Sequence, residues 1–196
     1  MTQTAVSLST GLSDIDKKGA SWLLKPEIHP EKPEDYAAVY EVNRLAFGRE
    51  VEGRLVEALR QSPDHFPELS LVAVVAGRVV GHILFSAIAI EVPGTRIPAL
   101  GLAPLAVRPE FQKKGIGSEL VRYGLEQCRR LGHKIVVVIG HPDYYPRFGF
   151  SSARAEGLEV PFPVPDEAFM ALELVPGALS GISGMVRYSP AFDEVS

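Results

Sequence analysis

Cysteine is all but missing from this chain: among its 196 residues there is one, Cys128. A single thiol closes no disulfide within the chain and makes a cysteine-based zinc site untenable, so a reducing, cytoplasmic setting is expected. An excess of positive charge is missing too. The 20 Lys and Arg are outnumbered by 24 Asp and Glu, for a formal net charge of −4. A chain that held nucleic acid by neutralising phosphates would show the opposite balance, so no nucleic-acid partner is expected. Long apolar runs are absent as well. The longest lightly charged stretch, Val79 to Ile90, contains His82 and falls well short of the about 20 residues that a membrane helix needs, so no membrane partner is expected. Met1 to Ala20 lacks a basic segment followed by an apolar one and does not read as a signal peptide. His29, His65, His82 and His133 are scattered without metal-ligand spacing, and no metal is expected.

What remains is a composition too apolar for disorder, with hydrophobic residues at 46%. Residues 1–20, rich in Ser and Thr and without a period, read as a mobile extension, and residues 21–196 as a single domain. Trp22–Ile28 reads as a short strand. Tyr36, Val39, Tyr40, Asn43 and Phe47 recur at helical spacing up to Gly48, and a second helix carries Val51, Leu55, Val56 and Leu59 on one side. Its other side carries Glu52, Arg54, Glu57 and Arg60, a pattern that fits either ordinary surface or a wall of a site. Leu71–Ala76 and Val79–Ile90 form a hairpin around Ala76-Gly77-Arg78, and Ile97–Val107 is a third strand. Pro104 within it implies a bulge, a strand end or an edge, because proline cannot donate to a ladder. A long amphipathic helix opens near Gly115, with Ile116, Leu120, Val121, Leu125, Cys128 and Leu131 as its apolar stripe. Ile135–Ile139, Phe169–Val175 and Met185–Tyr188 read as later strands. The order predicts an α/β fold around a mixed sheet.

The chemistry concentrates where the strand ending at Val107 gives way to the helix. Gln112-Lys113-Lys114-Gly115-Ile116-Gly117-Ser118 places two glycines and two lysines at a helix start. Unpaired amides and the positive end of the helix dipole make such a loop a cradle for phosphate. The dinucleotide pattern GxGxxG fails, because residue 120 is Leu, and the pattern GxxxxGK[ST] is absent.

The motif Gln-x-x-Gly-x-Gly at 112–117, between an apolar strand and an amphipathic helix, resembles the pyrophosphate signature of the GNAT superfamily of N-acetyltransferases. Asp143-Tyr144-Tyr145-Pro146-Arg147-Phe148-Gly149-Phe150 resembles that superfamily's later Y-x-x-x-G-F element. Within the superfamily the likeness is to the YhbS-type acetyltransferases, from about residue 22 to residue 192. The resemblance implies a GNAT fold, with a mixed, mostly antiparallel sheet flanked by helices, and acetyl-CoA as co-substrate. It implies that Lys113, Lys114, Gly115, Ile116, Gly117 and Ser118 give amides to the pyrophosphate, with Gln112 opening the signature. Leu105, Ala106 and Val107 would pair with the pantetheine arm, and Gly101 and Pro104 would help their strand part from its neighbour.

Tyr145 then matches the tyrosine that protonates the departing thiolate, with Tyr144 as its rival. His141, after the apolar strand, is the candidate base, with Glu52 and Asp143 as alternatives. Phe47 and Glu52 would wall the site of the acceptor, a small-molecule or protein amine. Cys128, on the helix's buried stripe, offers no nucleophile, so direct attack in a ternary complex is expected. The same cradle would equally serve a non-catalytic acyl-CoA sensor, and an unpaired last strand would leave an edge for a homodimer.

Overall fold

The computed structural model describes residues 25–193. The extension expected over residues 1–20, and the first residues of the strand expected from Trp22, lie outside the described residues. Within them the chain runs β1 (Glu27–Pro30), α1 (Tyr36–Phe47), α2 (Val51–Arg60), β2 (His65–Val75), β3 (Arg78–Val92), β4 (Thr95–Val107), α3 (Ile116–Arg130), β5 (Ile135–Ile139), β6 (Ser151–Ser152), β7 (Leu158–Glu159), β8 (Phe169–Glu173) and β9 (Gly184–Arg187). The strands join in one sheet of order β1-β2-β3-β4-β5-β8-β6, with β9 beside the far end of β3 and β7 beside β9. Among the described residues only β4–β5 and β7–β9 pair in parallel. The mixed, mostly antiparallel sheet expected from the sequence is therefore present.

Each face of the sheet is covered by a different helical layer. The stripe of α3 buries Ile116, Leu120, Val121, Leu125 and Cys128 against Phe85, Leu71 and Leu100. Phe85 lies so close over Gly124 that a side chain there has no room. Leu131, expected on the same stripe, lies past the last helical turn and is 49% exposed. On the opposite face α1 and α2 pack Val39, Val42, Leu55, Val56 and Leu59 against Val72, Leu84 and Ala106. β2 starts at His65, earlier than the apolar run from Leu71 indicated. Its pairing with β3 shifts register between His65 and Ser70, where Pro67 interrupts the pattern that reveals a strand.

The sheet forks in its middle. β4 stays paired to β3 up to Val107, opposite Gly81. β5 pairs β4 only at Leu100↔Val136 and Gly101↔Val137, then follows β8 along Ile135–Ile139. From Leu102 onward no strand among the described residues lies beside the β5-facing edge of β4. Where the strands part, β4 carries an extra residue: Leu102 and Leu105 flank Ala103-Pro104, whereas Phe85 and Ile83 opposite them flank Leu84 alone. Pro104 thus sits in a bulge, one of the three positions expected for it.

A chain of buried polar groups ties the layers together. The side chain of Asn43 donates to Val39 O (2.9 Å) and reaches His82 Nδ1 (3.2 Å), which makes that nitrogen an acceptor. The proton therefore lies on Nε2, which donates to Ser70 Oγ (3.0 Å), and the Ser70 hydroxyl donates to Glu31 Oε1 (2.8 Å). Arg60 closes the chain by donating to both Glu31 oxygens, with its guanidinium 3.9 Å from the Tyr36 ring centre. Arg60 is not on a solvated face, as the charge pattern of α2 implied, but is buried with Glu31. Burial is the largest single influence on the Glu31 carboxyl and pushes it up, but the hydrogen bonds from Arg60 and Ser70 and the nearby positive charge together outweigh it, so the group stays below its ordinary value. Burial, reinforced by Arg60, lowers the His82 pKa to about 4, so the neutral ring is the native form.

Candidate active site

The fork opens into a cleft of about 990 Å³, the upper end of the range for small-molecule and cofactor sites. One wall is the open edge of β4, through Leu102, Ala103, Pro104, Leu105 and Val107. The start of α3 forms a second wall. Gly115 holds φ +88 with open space around its Cα, so its role there is conformational. Lys113, also at positive φ, turns the chain just ahead of it. The first backbone bond of the helix runs from Glu119 N–H to Gly115 O at 3.0 Å, which leaves the amides of Ile116, Gly117 and Ser118 at the cleft without a helical acceptor.

The side chains of the signature divide their work. Gln112 donates to Val107 O at 3.0 Å and so fastens the turn to the end of β4. Lys113 lines the cleft, whereas the Lys114 ammonium donates to Glu110 O at 2.7 Å beside the Phe111 ring. Neither Lys114 nor Ala106 lines the cleft. Ala106 is buried on the α1/α2 face of the sheet.

The third wall follows β5. Tyr145 packs over Gly140, where a side chain has no room, and meets Phe150 edge-on with ring centres 5.6 Å apart. It is 7% exposed, and burial, with Tyr144 adding to it, raises its pKa above the usual tyrosine value. The group is a phenol throughout the neutral range, a donor rather than a base. Tyr144 lies nearer the cradle. Its hydroxyl is 2.9 Å from the position a Cβ on Gly117 would take. Arg147 donates from Nε to Tyr144 O at 2.8 Å and stacks 4.3 Å from the centre of the Tyr144 ring.

Of the three candidate bases, His141 and Glu52 line the cleft and Asp143 does not. His141 is exposed at the lip. Glu52 comes from the first turn of α2, on the opposite face of the sheet, together with Phe47 and Leu55. It is 8% exposed, so of its two expected readings, ordinary surface and a wall of the site, ordinary surface does not hold. Its carboxylate accepts from Arg49 Nε at 3.0 and 3.1 Å. The structure thus gathers Leu105, Val107, Gln112, Lys113, Gly115–Ser118, Tyr145, His141, Glu52 and Phe47 in one cleft. Sequence reasoning overlooked Arg147, Phe111, Gly140 and Ile139, which line it too. Arg147 carried a readable signal, a cation inside the Tyr144–Phe150 element; the others depend on how the strands diverge. Among the described residues, no group of His, Cys, Asp and Glu is placed to hold a metal, and no helix is long and apolar enough to cross a membrane.

A forked sheet with a glycine-bearing helix start in the fork defines an acyltransferase architecture, and comparison with known proteins makes it specific. Residues 27–153 match the family model described as an acetyltransferase (GNAT) domain, and the chain belongs to that family. It is 35% identical over 168 residues to the N-acetyltransferase YhbS of Escherichia coli (strain K12), covering 85% of this chain and 98% of YhbS. It is 39% identical over 140 residues to the N-acetyltransferase YjhQ of the same strain, 71% of this chain and 77% of YjhQ. Among solved structures, YhbS from Escherichia coli in complex with CoA superposes with a TM-score of 0.80 at 33% identity, covering 87% of this chain and 93% of that one. A GNAT family acetyltransferase from Brucella melitensis in complex with acetyl-CoA superposes at 0.70 with 34% identity, over 87% and 99%.

Proposed function

We propose that this protein transfers the acetyl group of acetyl-CoA to a primary amine by direct attack within a ternary complex. One observation carries the reading: the unpaired edge of β4 leads to the unpaired amides at the start of α3 within a single cleft. The edge suits the amide-bearing pantetheine arm, and the helix start suits the pyrophosphate. Lys113 and Arg147 add positive charge on that side. The CoA and acetyl-CoA bound by the two superposed relatives support the assignment.

Each cleft residue has a role. An amide of Leu105–Val107 polarises the thioester carbonyl, a fixed donor aimed at charge that grows during attack. Glu52 holds the incoming ammonium, with Phe47 against the rest of the acceptor. The amine nitrogen attacks the carbonyl carbon, the C–S bond breaks and an amide forms. The ammonium gives up two protons in all. One passes through His141 to solvent; Tyr145 donates its proton to the departing thiolate, and the second ammonium proton restores the phenol.

The test is a screen of amines, including polyamines, amino acids, aminoglycosides and lysine peptides, read by release of free thiol from acetyl-CoA. Turnover with at least one amine is expected. Tight acetyl-CoA binding without thiol release across the panel would replace this reading with that of an acyl-CoA sensor.

A further inference from the structure

Among the described residues that line the cleft, Glu52 carries the one carboxylate, and its partner is Arg49. The two halves of this pair are held very differently. Glu52 is fixed by α2 and by burial, its side chain 11% exposed. Arg49 lies in the turn between α1 and α2 and does not line the cleft. Its side chain is 63% exposed, and among the described residues its guanidinium bonds to Glu52 alone. An exposed arginine on such a pair is held weakly and screened by water, so it swings away at little cost, whereas the carboxylate cannot follow.

We propose that Arg49 sets the acceptor preference of the cleft by competing with the acceptor's ammonium for Glu52. The proposal rests on the reading that Glu52 meets the acceptor amine. The favoured class is a protonated primary amine on an apolar or aromatic body: the charge displaces Arg49, and the body covers Phe47 and Leu55, which flank Glu52 in the cleft. An uncharged analogue of the same shape gains nothing from the exchange. Arg49 therefore lowers affinity for every cationic acceptor and leaves neutral molecules untouched.

The experiment is calorimetric titration of CoA-saturated protein with phenethylamine and with its neutral isostere 2-phenylethanol, at low salt, for the native chain, Arg49→Gln, Glu52→Gln and the double variant. Arg49→Gln is expected to tighten phenethylamine about three- to fivefold, the scale of an exposed ion pair, and to leave 2-phenylethanol unchanged. The gain is expected to vanish in the double variant and to shrink as salt is raised. Unchanged or weaker phenethylamine binding in Arg49→Gln overturns the proposal, as does equal tightening of the alcohol. If Glu52→Gln weakens phenethylamine while Arg49→Gln does not tighten it, the competition fails and the acceptor reading stands. If Glu52→Gln binds phenethylamine as the native chain does, or no protein binds it, both fall. Should Glu52→Gln not fold, the exposed Arg49→Gln still decides the competition.

Discussion

The Tyr144 hydroxyl rests against the α-carbon of Gly117, 2.9 Å from where a side chain there would begin. This contact couples the two motifs of the sequence, the glycine signature at 112–117 and the tyrosine element at 143–150. The Tyr144 ring cannot yield easily, because Arg147 stacks on it and Tyr145 and Phe148 abut it at 5.1 and 5.4 Å between ring centres. Gly117→Ala is therefore expected to force the start of α3 and the Tyr144 ring apart and weaken CoA binding about tenfold by titration, while unfolding free energy falls by about 1–3 kcal/mol.

Tyr145→Phe removes the proposed donor without removing the ring that packs on Phe150. With an acceptor from the amine screen, kcat is expected to fall about 100-fold or more, with little change in acetyl-CoA affinity. An unchanged kcat and pH profile would assign the donor's role elsewhere, first to Tyr144.

Glu31 and Arg60 are buried together, with side chains 3% and 7% exposed. Removing either leaves the other as an uncompensated buried charge. Arg60→Ala is expected to lower unfolding free energy by about 3 kcal/mol in urea titrations, far more than an exposed arginine would.

His82 makes stability depend on pH. Its pKa in the folded chain, about 4, lies below the 6.5 of the unfolded chain. Between those values the unfolded chain binds a proton that the folded one does not. Stability from this group is thus complete above about 6.5 and is lost as pH falls toward 4, by roughly 3 kcal/mol in all. His82→Gln should flatten that part of the pH profile of unfolding. A slope unchanged by the substitution would place the dependence on other groups, such as His65 and His133, whose pKa values are also lowered by burial.

Burial pushes the Cys128 thiol up to about 12, so almost no thiolate exists at pH 8. Labelling with a thiol-specific disulfide reagent is expected to be at least about 100-fold slower in the native chain than in urea, where one equivalent should react.

Local features were legible in the sequence, and features made by distant partners were not. The stripe of α3, its glycine start and the hairpin through Ala76-Gly77 are set by residues within a few positions of each other, and they stand where periodicity and turn chemistry place them. Arg60 read as surface because its partner Glu31 lies 29 residues away on the chain. Glu52 carried two readings, polar surface and wall of the acceptor site, because its burial depends on where α2 meets the fork. The fork was legible in part. Gly101 is the last β4 residue paired with β5, and the bulge at Pro104 follows at once. That β5 then leaves with β8 is a matter of strand pairing that no local pattern encodes.

The fork also bears on self-association. An open strand edge is ordinarily a template on which another polypeptide can add, and proteins protect such edges with charge, proline or cover. Here the β4 edge lies inside the sheet. At Leu100 and Gly101 it is still paired with β5, and only beyond them does it face the cleft. Reaching it means entering the cleft between the start of α3 and the side formed by Phe47, Glu52 and Leu55. The edge left open for a ligand is thus withdrawn from the outer rim of the sheet, where edge-to-edge association begins.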